Sequence, residues 1–192
     1  PASELAISGA VDATLPAVET GNTAGGTLAD PTGAAPSQEA ARVEIETPEF
    51  SGSLSLQGGR IDDLALTQYR RTLDEESEIV QLLRPVGTPG AYFATFGWSA
   101  IDGIDAQNVP GPDTIWTLTE GDRLTPDTPV TLSWDNGAGQ IFYTEISVDD
   151  NFMFNFEQSV ENASSTAISA RPYGLLRRHG TPADAKNFFI LH

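Results

Sequence analysis

From Arg42 onward the chain never holds one hydrophobic pattern for long before glycine, proline or aspartate breaks it. Such punctuation leaves no room for a long amphipathic helix and favours short strands joined by turns. "RVEIET" sets Val43 and Ile45 against Glu44 and Glu46 with a period of two, and "FSGSLSL" sets Phe50, Leu54 and Leu56 against Ser51, Ser53 and Ser55. "QGGR" supplies a glycine turn, and "RIDDLAL" returns with Asp62-Asp63 shifting the alternation as a β-bulge would. Further short segments follow: "EIVQLL", "AYFATFGW", "TIWTLT", "PVTLSW", "QIFYTEISV", "NFMFNFEQSV" and "SSTAISARPY". The spacing predicts an all-β fold, an antiparallel β-sandwich or barrel. "QYRRTLDEESE" lacks a sustained apolar stripe and reads as a loop or a single turn. Ile101 to Asp113 reads as a long polar loop, in which Pro110 and Pro112 argue against ladder pairing.

The stretch from Val130 to Phe156, "VTLSWDNGAGQIFYTEISVDDNFMFNF", poses the first functional question. Asp135, Asp149 and Asp150 would lie at the tips of a sheet, where a metal or catalytic site could sit. On one strand Val130, Leu132 and Trp134 share a face; on the next Phe142, Thr144, Ile146 and Val148 line up. Asn136-Gly137 suits a hairpin connection, and Phe152, Phe154 and Phe156 form an aromatic row whose burial the register must protect. A calcium loop needs alternating ligands and a distant Glu, whereas Asp149 and Asp150 are adjacent and point apart. The acids read as turn acceptors.

Charge and composition exclude more. The formal net charge is −17, from 27 acidic and 10 basic residues, which makes nucleic acid and anionic lipid poor partners. Nine of the ten cations are Arg, scattered along the chain. Cysteine is absent, removing disulfides, thiolate chemistry and most structural zinc sites. No apolar run approaches the ~20 residues that span a bilayer. Residues 1–41 are rich in Ala, Gly, Thr, Pro and Ser, hold five acids and no cation, and read as a disordered acidic tether. The start at Pro1 without a basic n-region, and an end at "NFFILH" inside a strand-like apolar run, read as the two ends of a piece of a longer protein.

Reactive constellations are missing. His179 and His192 are the only histidines, and "RRHG" places His179 in a charged surface loop. There is no G-x-S-x-G elbow, phosphate-cradling glycine loop or H-E-x-x-H. The neighbouring acids Asp62-Asp63, Glu75-Glu76 and Asp149-Asp150 cannot oppose one another across a sugar ring as glycosidase carboxyls do. Trp98, Trp116, Trp134, Tyr92 and Tyr143 sit within strands and read first as core, second as a sugar- or partner-gripping surface. "NAS" at Asn162 matches a glycosylation acceptor that chance often supplies. No catalytic, cofactor-binding or metal-ligating residue is assigned, and the chain reads as no enzyme.

The landmarks "VEIETPEFSGSLSLQGGRIDDLALTQYR", "IVQLLRPVGTPGAYFATFGW", "TIWTLTEGDRLTPDTPVTLSWDNGAGQIFYTEISVDDNFMFNF" and "ARPYGLLRRHGTPADAKNFFILH" stand in the order and spacing of one family. From Arg42 to His192 the chain resembles the large periplasmic domain of the bacterial YidC membrane protein insertase, with a tether like that of its alphaproteobacterial branch. The resemblance implies a β-supersandwich on the periplasmic face of the inner membrane, in a protein whose membrane core performs insertion. It implies a non-catalytic role in inserting and folding inner-membrane proteins. The partners it implies are the Sec translocon (SecD–SecF and SecYEG), the insertase's own membrane core and nascent membrane proteins. The family's domain continues past the point matching "FILH", so residues 42–192 are expected to be truncated at the C-terminal end. Two other readings remain: a carbohydrate-binding or mutarotase-like sandwich, which needs a histidine opposite a carboxylate, and a cell-surface adhesion sandwich, which needs tandem copies.

Overall fold

A computed structural model describes residues 40–180. The expectations for the tether and for the strand-like "NFFILH" therefore fall outside the described residues, apart from the tether's last two positions. Eleven strands follow in order: β1 (Arg42–Glu46), β2 (Phe50–Ser55), β3 (Arg60–Arg70), β4 (Ile79–Leu83), β5 (Tyr92–Asp102), β6 (Thr117–Glu120), β7 (Arg123–Leu124), β8 (Val130–Asp135), β9 (Gln140–Val148), β10 (Phe154–Asn162) and β11 (Ser169–Arg178). The all-β expectation holds; among the described residues the only helical piece is a 3₁₀ turn at Ala106–Asn108.

Seven strands form one sheet in the order β11-β5-β3-β2-β1-β7, with β4 also on β3, and four form a second in the order β10-β9-β8-β6. The pairings are antiparallel except for the short one between β1 and β7, which is parallel. That two-residue strand was not foreseen; its Arg123 ties it to β1 by ion pairs to Glu44 at 3.0 Å and to Glu46.

Alternation sorts the side chains as the period-two pattern requires. Val43 and Ile45 are buried while Glu44 and Glu46 are exposed, and across the interlayer Val130, Leu132, Phe142 and Ile146 are fully buried. Trp98 packs edge-on against Phe142 with ring centres 5.5 Å apart. Each such large side chain contributes on the order of 2–3 kcal/mol by leaving water. Gly58 and Gly59 take successive positive φ values of 72° and 57° between β2 and β3, the conformation a tight hairpin demands. The register between β2 and β3 slips between Ser53 and Leu54, leaving Asp62 as the extra residue of a bulge, as its sequence position suggested.

Three boundaries differ from expectation. β3 runs on through Gln68, Tyr69 and Arg70, so the exposed loop starts only at Arg71. β10 begins at Phe154, because Phe152 lies in the preceding turn with φ 72°, the only non-glycine residue at positive φ among the described residues. The aromatic row is thus shorter by one ring, and Phe152 is exposed. The loop after β5 is not merely polar: Val109 and Pro110 are buried, and the Pro110 carbonyl accepts from the Trp98 N–H at 3.2 Å.

Candidate functional site

The acids singled out in the sequence are occupied with structure. Asp135 Oδ1 accepts from the Gly137 N–H at 2.8 Å, and Asp149 Oδ1 accepts from Asn151 and Met153, each at 2.8 Å. Both are Asx-type turn caps. Asp150, Glu75 and Glu76 are exposed turn residues. Asp62 is buried and faces two guanidinium groups, forming an ion pair with Arg42 and lying 3.9 Å from Arg60 Nε. Burial lowers the pKa of Arg60, and the charges of Asp62 and Asp113 work against that shift. Asp63 accepts from Ser53 at 2.9 Å and from Gln81 at 3.0 Å, which ties β2, β3 and β4 together. Among the described residues no group of three or more His, Asp or Glu is placed to hold a metal ion.

His179 is not in a charged surface loop. Arg177 and Arg178 belong to β11, and the half-buried His179 packs edge-on against Phe93 at 5.5 Å, held by its N–H to the Ala91 carbonyl at 2.8 Å. It faces a ring, not a carboxylate. His192 lies outside the described residues. Trp98 and Trp116 are buried, while Trp134, Tyr92 and Tyr143 are half-buried. Asn162 spends its amide on the Thr166 carbonyl at 2.9 Å, so the acceptor-like "NAS" serves a turn.

Two surface features remain. The outer face of the four-stranded sheet carries a polar depression lined by Glu120, Glu145, Glu157, Glu161, Tyr143 and small hydroxyl residues. Glu145 sits directly opposite Glu157 in the β9–β10 ladder. The other feature is an open apolar groove of about 480 Å³ where β10 and β11, the end strands of the two sheets among the described residues, approach each other. Its lining contains no charged residue. Phe50, Phe96, Phe154 and Phe156 build its wall through two stacked pairs: Phe50–Phe154 at 5.2 Å and Phe96–Phe156 at 3.6 Å. Gly174 lets Phe96 close in from below, since a Cβ there would lie 3.0 Å from its ring. On the opposite face Tyr173 lies over Gly97, where a Cβ would meet the phenol oxygen at 2.6 Å. The landmarks "YFATFGW" and "PYGLLRR" are therefore one interlocked unit, seen from two strands. Sequence reading missed the groove because it assigned the Phe row wholly to the core. The signal was the adjacent pair Leu175-Leu176, which puts apolar side chains on both faces of one strand.

The chain also has clear relatives. Residues 42–192 match the family model of the YidC periplasmic domain. The chain belongs to that family. Its relatives include proteins named membrane protein insertase YidC from Roseobacter denitrificans, 51% identical over 95% of this chain, and from Ruegeria pomeroyi, 48% identical over 100% of it. A third, from Dinoroseobacter shibae, is 52% identical over 84%. The chain covers 30%, 32% and 26% of those three proteins, so it spans about a third of their length or less. The match begins at Arg42, where β1 begins, so the whole sandwich described above lies within the family's domain.

Proposed function

We propose that this chain is the non-catalytic periplasmic domain of a membrane protein insertase, carried at the inner membrane behind a tether at residues 1–41. It assists insertion and folding by contact with the Sec translocon (SecD–SecF and SecYEG), with the insertase's own membrane core and with nascent membrane proteins. The observation that carries this reading is the family match over the whole described sandwich, together with relatives named as insertases. The fate of the candidate acids supports a role in contact rather than chemistry: they serve turns and internal ion pairs. A sugar-binding reading draws no support from the groove, whose lining offers no charged side chain to fix hydroxyl groups.

Two exposed loops are the test positions. Ile61 pairs with Ala94, so β3 runs away from the end at which β5 finishes. The 103–113 loop after β5 lies at the Gly58–Gly59 end, with the Gly58 N–H donating to Thr114 at 2.7 Å. The Arg71–Glu78 loop lies at the far end of β3, about 30 Å away at ~3.3 Å per residue from Ile61 to Arg70. Leu73 and Ile101, at the two ends, are exposed apolar residues. Photo-crosslinkers at these positions in the full-length protein, in native membranes, should capture Sec subunits from at least one end. Silence toward Sec subunits and nascent chains from both ends would overturn the proposal.

A further inference from the structure

The loop between β8 and β9 carries the chain's one Asn-Gly pair, Asn136-Gly137; every other asparagine precedes a residue with a side chain. Glycine places nothing between its nitrogen and the side chain before it, so a backbone nitrogen meets least obstruction here in attacking an asparagine amide. That attack bonds the Gly137 nitrogen to Asn136 Cγ and expels Nδ2, which leaves as ammonia with the Gly137 proton. Water then opens the cyclic imide at either carbonyl and yields aspartate or isoaspartate.

The folded hairpin holds both reactants. The Gly137 N–H donates to Asp135 Oδ1 at 2.8 Å, and the negative charge beside it opposes loss of that proton. Asn136 Oδ1 accepts from the N–H groups of Ala138 at 2.8 Å and Gln140 at 3.2 Å. Nδ2, the group that must leave, donates to the Asn108 carbonyl at 3.0 Å and to Gln140 Oε1 at 2.8 Å. Turning this amide breaks several of those bonds at once. The same amide begins a directed series. Gln140 is 4% exposed and donates through Nε2 to Asn162 Oδ1 at 2.8 Å, and Asn162 Nδ2 donates to the Thr166 carbonyl at 2.9 Å. Its sense is fixed by backbone N–H groups, which can only donate: Ala138 to Asn136, and Ser164 to Asn162. The series ties together the loop after β5, the β8–β9 hairpin and the β10–β11 connection.

We propose that Asn136 is a guarded modification site: it deamidates through the Gly137 nitrogen when the hairpin opens, and the acid so formed keeps the amide series from closing again. A carboxylate at position 136 has no donor to offer the Asn108 carbonyl or the buried Gln140 Oε1, so acceptors face one another where an amide had joined them. One opening thus leaves a permanent mark on the chain.

The test holds the 192-residue chain at mildly alkaline pH with and without denaturing urea and follows the peptide spanning Asn136 by mass spectrometry. Conversion should run about tenfold slower or more in the folded chain, because it tracks the open population. Equal rates overturn the proposal. Asp135→Ala, with circular dichroism as the folding control, should lose several-fold of that protection; unchanged protection overturns the part given to Asp135. Asn136→Asp installs the product directly, and its urea midpoint should fall below the parent's. A midpoint no lower than the parent's overturns the claim that the acid keeps the series open.

Discussion

Replacing Asp62 by alanine tests the claim that the acids of this chain are structural. The carboxylate is 3% exposed, and the Arg60 side chain beside it is 5% exposed. Removing the carboxylate strands a buried guanidinium. What remains to it is the Pro112 carbonyl at 3.5 Å and the more distant charge of Asp113. Breaking a buried pair on one side costs about 3–5 kcal/mol, because the remaining charge has lost its compensation. Arg42, the other partner, is 35% exposed, so its own truncation should cost only about 1 kcal/mol. With a urea slope near ~2 kcal/mol per molar for a domain of this size, Asp62→Ala should lower the unfolding midpoint by about 1.5–2.5 M.

Urea titration followed by tryptophan fluorescence measures the shift, since Trp98 and Trp116 are both buried. A double variant, Asp62→Ala with Arg60→Met, removes both charges and should recover a large part of the loss, because an apolar replacement needs no partner. A midpoint shift for Asp62→Ala no larger than that for Arg42→Ala would refute the reasoning. So would a double variant no more stable than Asp62→Ala alone.

Other consequences are simpler. Phe142→Ala, at the centre of the interlayer, should cost about 3–5 kcal/mol in the same assay. Gly52→Ala would place a Cβ 2.0 Å from the Asp63 carbonyl, so β2 and β3 must separate; a loss of about 1–3 kcal/mol or more is expected, and a neutral result would contradict the register. Glu157→Thr removes one of two carboxylates placed directly opposite each other and should stabilise by a few tenths of a kcal/mol, an effect that fades in high salt. Burial raises the pKa of Tyr173, so the folded state holds that proton more tightly than the unfolded one. The resulting stability is complete below pH ~10 and lost as pH rises through the folded value, so midpoints should fall in that alkaline window and fall less in Tyr173→Phe.

Legibility in the sequence followed locality. Strands whose two faces differ in polarity, such as Val43–Ile45 against Glu44–Glu46, could be read directly because burial acts residue by residue. The bulge at Asp62 was visible for the same reason: one extra residue breaks a period of two. The turns at Asp135 and Asp149 were readable from side chains that bond their own backbone. What could not be read was long-range. β7 is two residues long and owes its existence to a parallel partner some eighty positions earlier, whose glutamates bind Arg123. The half-burial of His179 depends on Phe93, on another strand. Arg84 is far in sequence from the neighbours Arg177 and Arg178, yet all three meet the start of β5, Arg178 lying 5.2 Å over the Tyr92 ring. The groove is the extreme case, since six strands and a turn contribute to it and none looks unusual alone.

The two flanks of the sandwich differ, and the difference follows chain order. At one flank β1 and β7 close the larger sheet, and Arg123 bridges two glutamates across the seam. Those strands belong to the first two thirds of the described chain. At the other flank stand β10 and β11, among the described residues the last two strands and each an end of its sheet, both turning apolar side chains into the same gap. Contacts made at that flank are coupled to folding, because filling the gap also buries Leu175 and Leu176. Ile101 at the end of β5 and Leu73 in the loop after β3 are free of that coupling, since their exposed apolar side chains stand clear of the gap. Surfaces for exchangeable partners are therefore expected at the two ends of the sandwich.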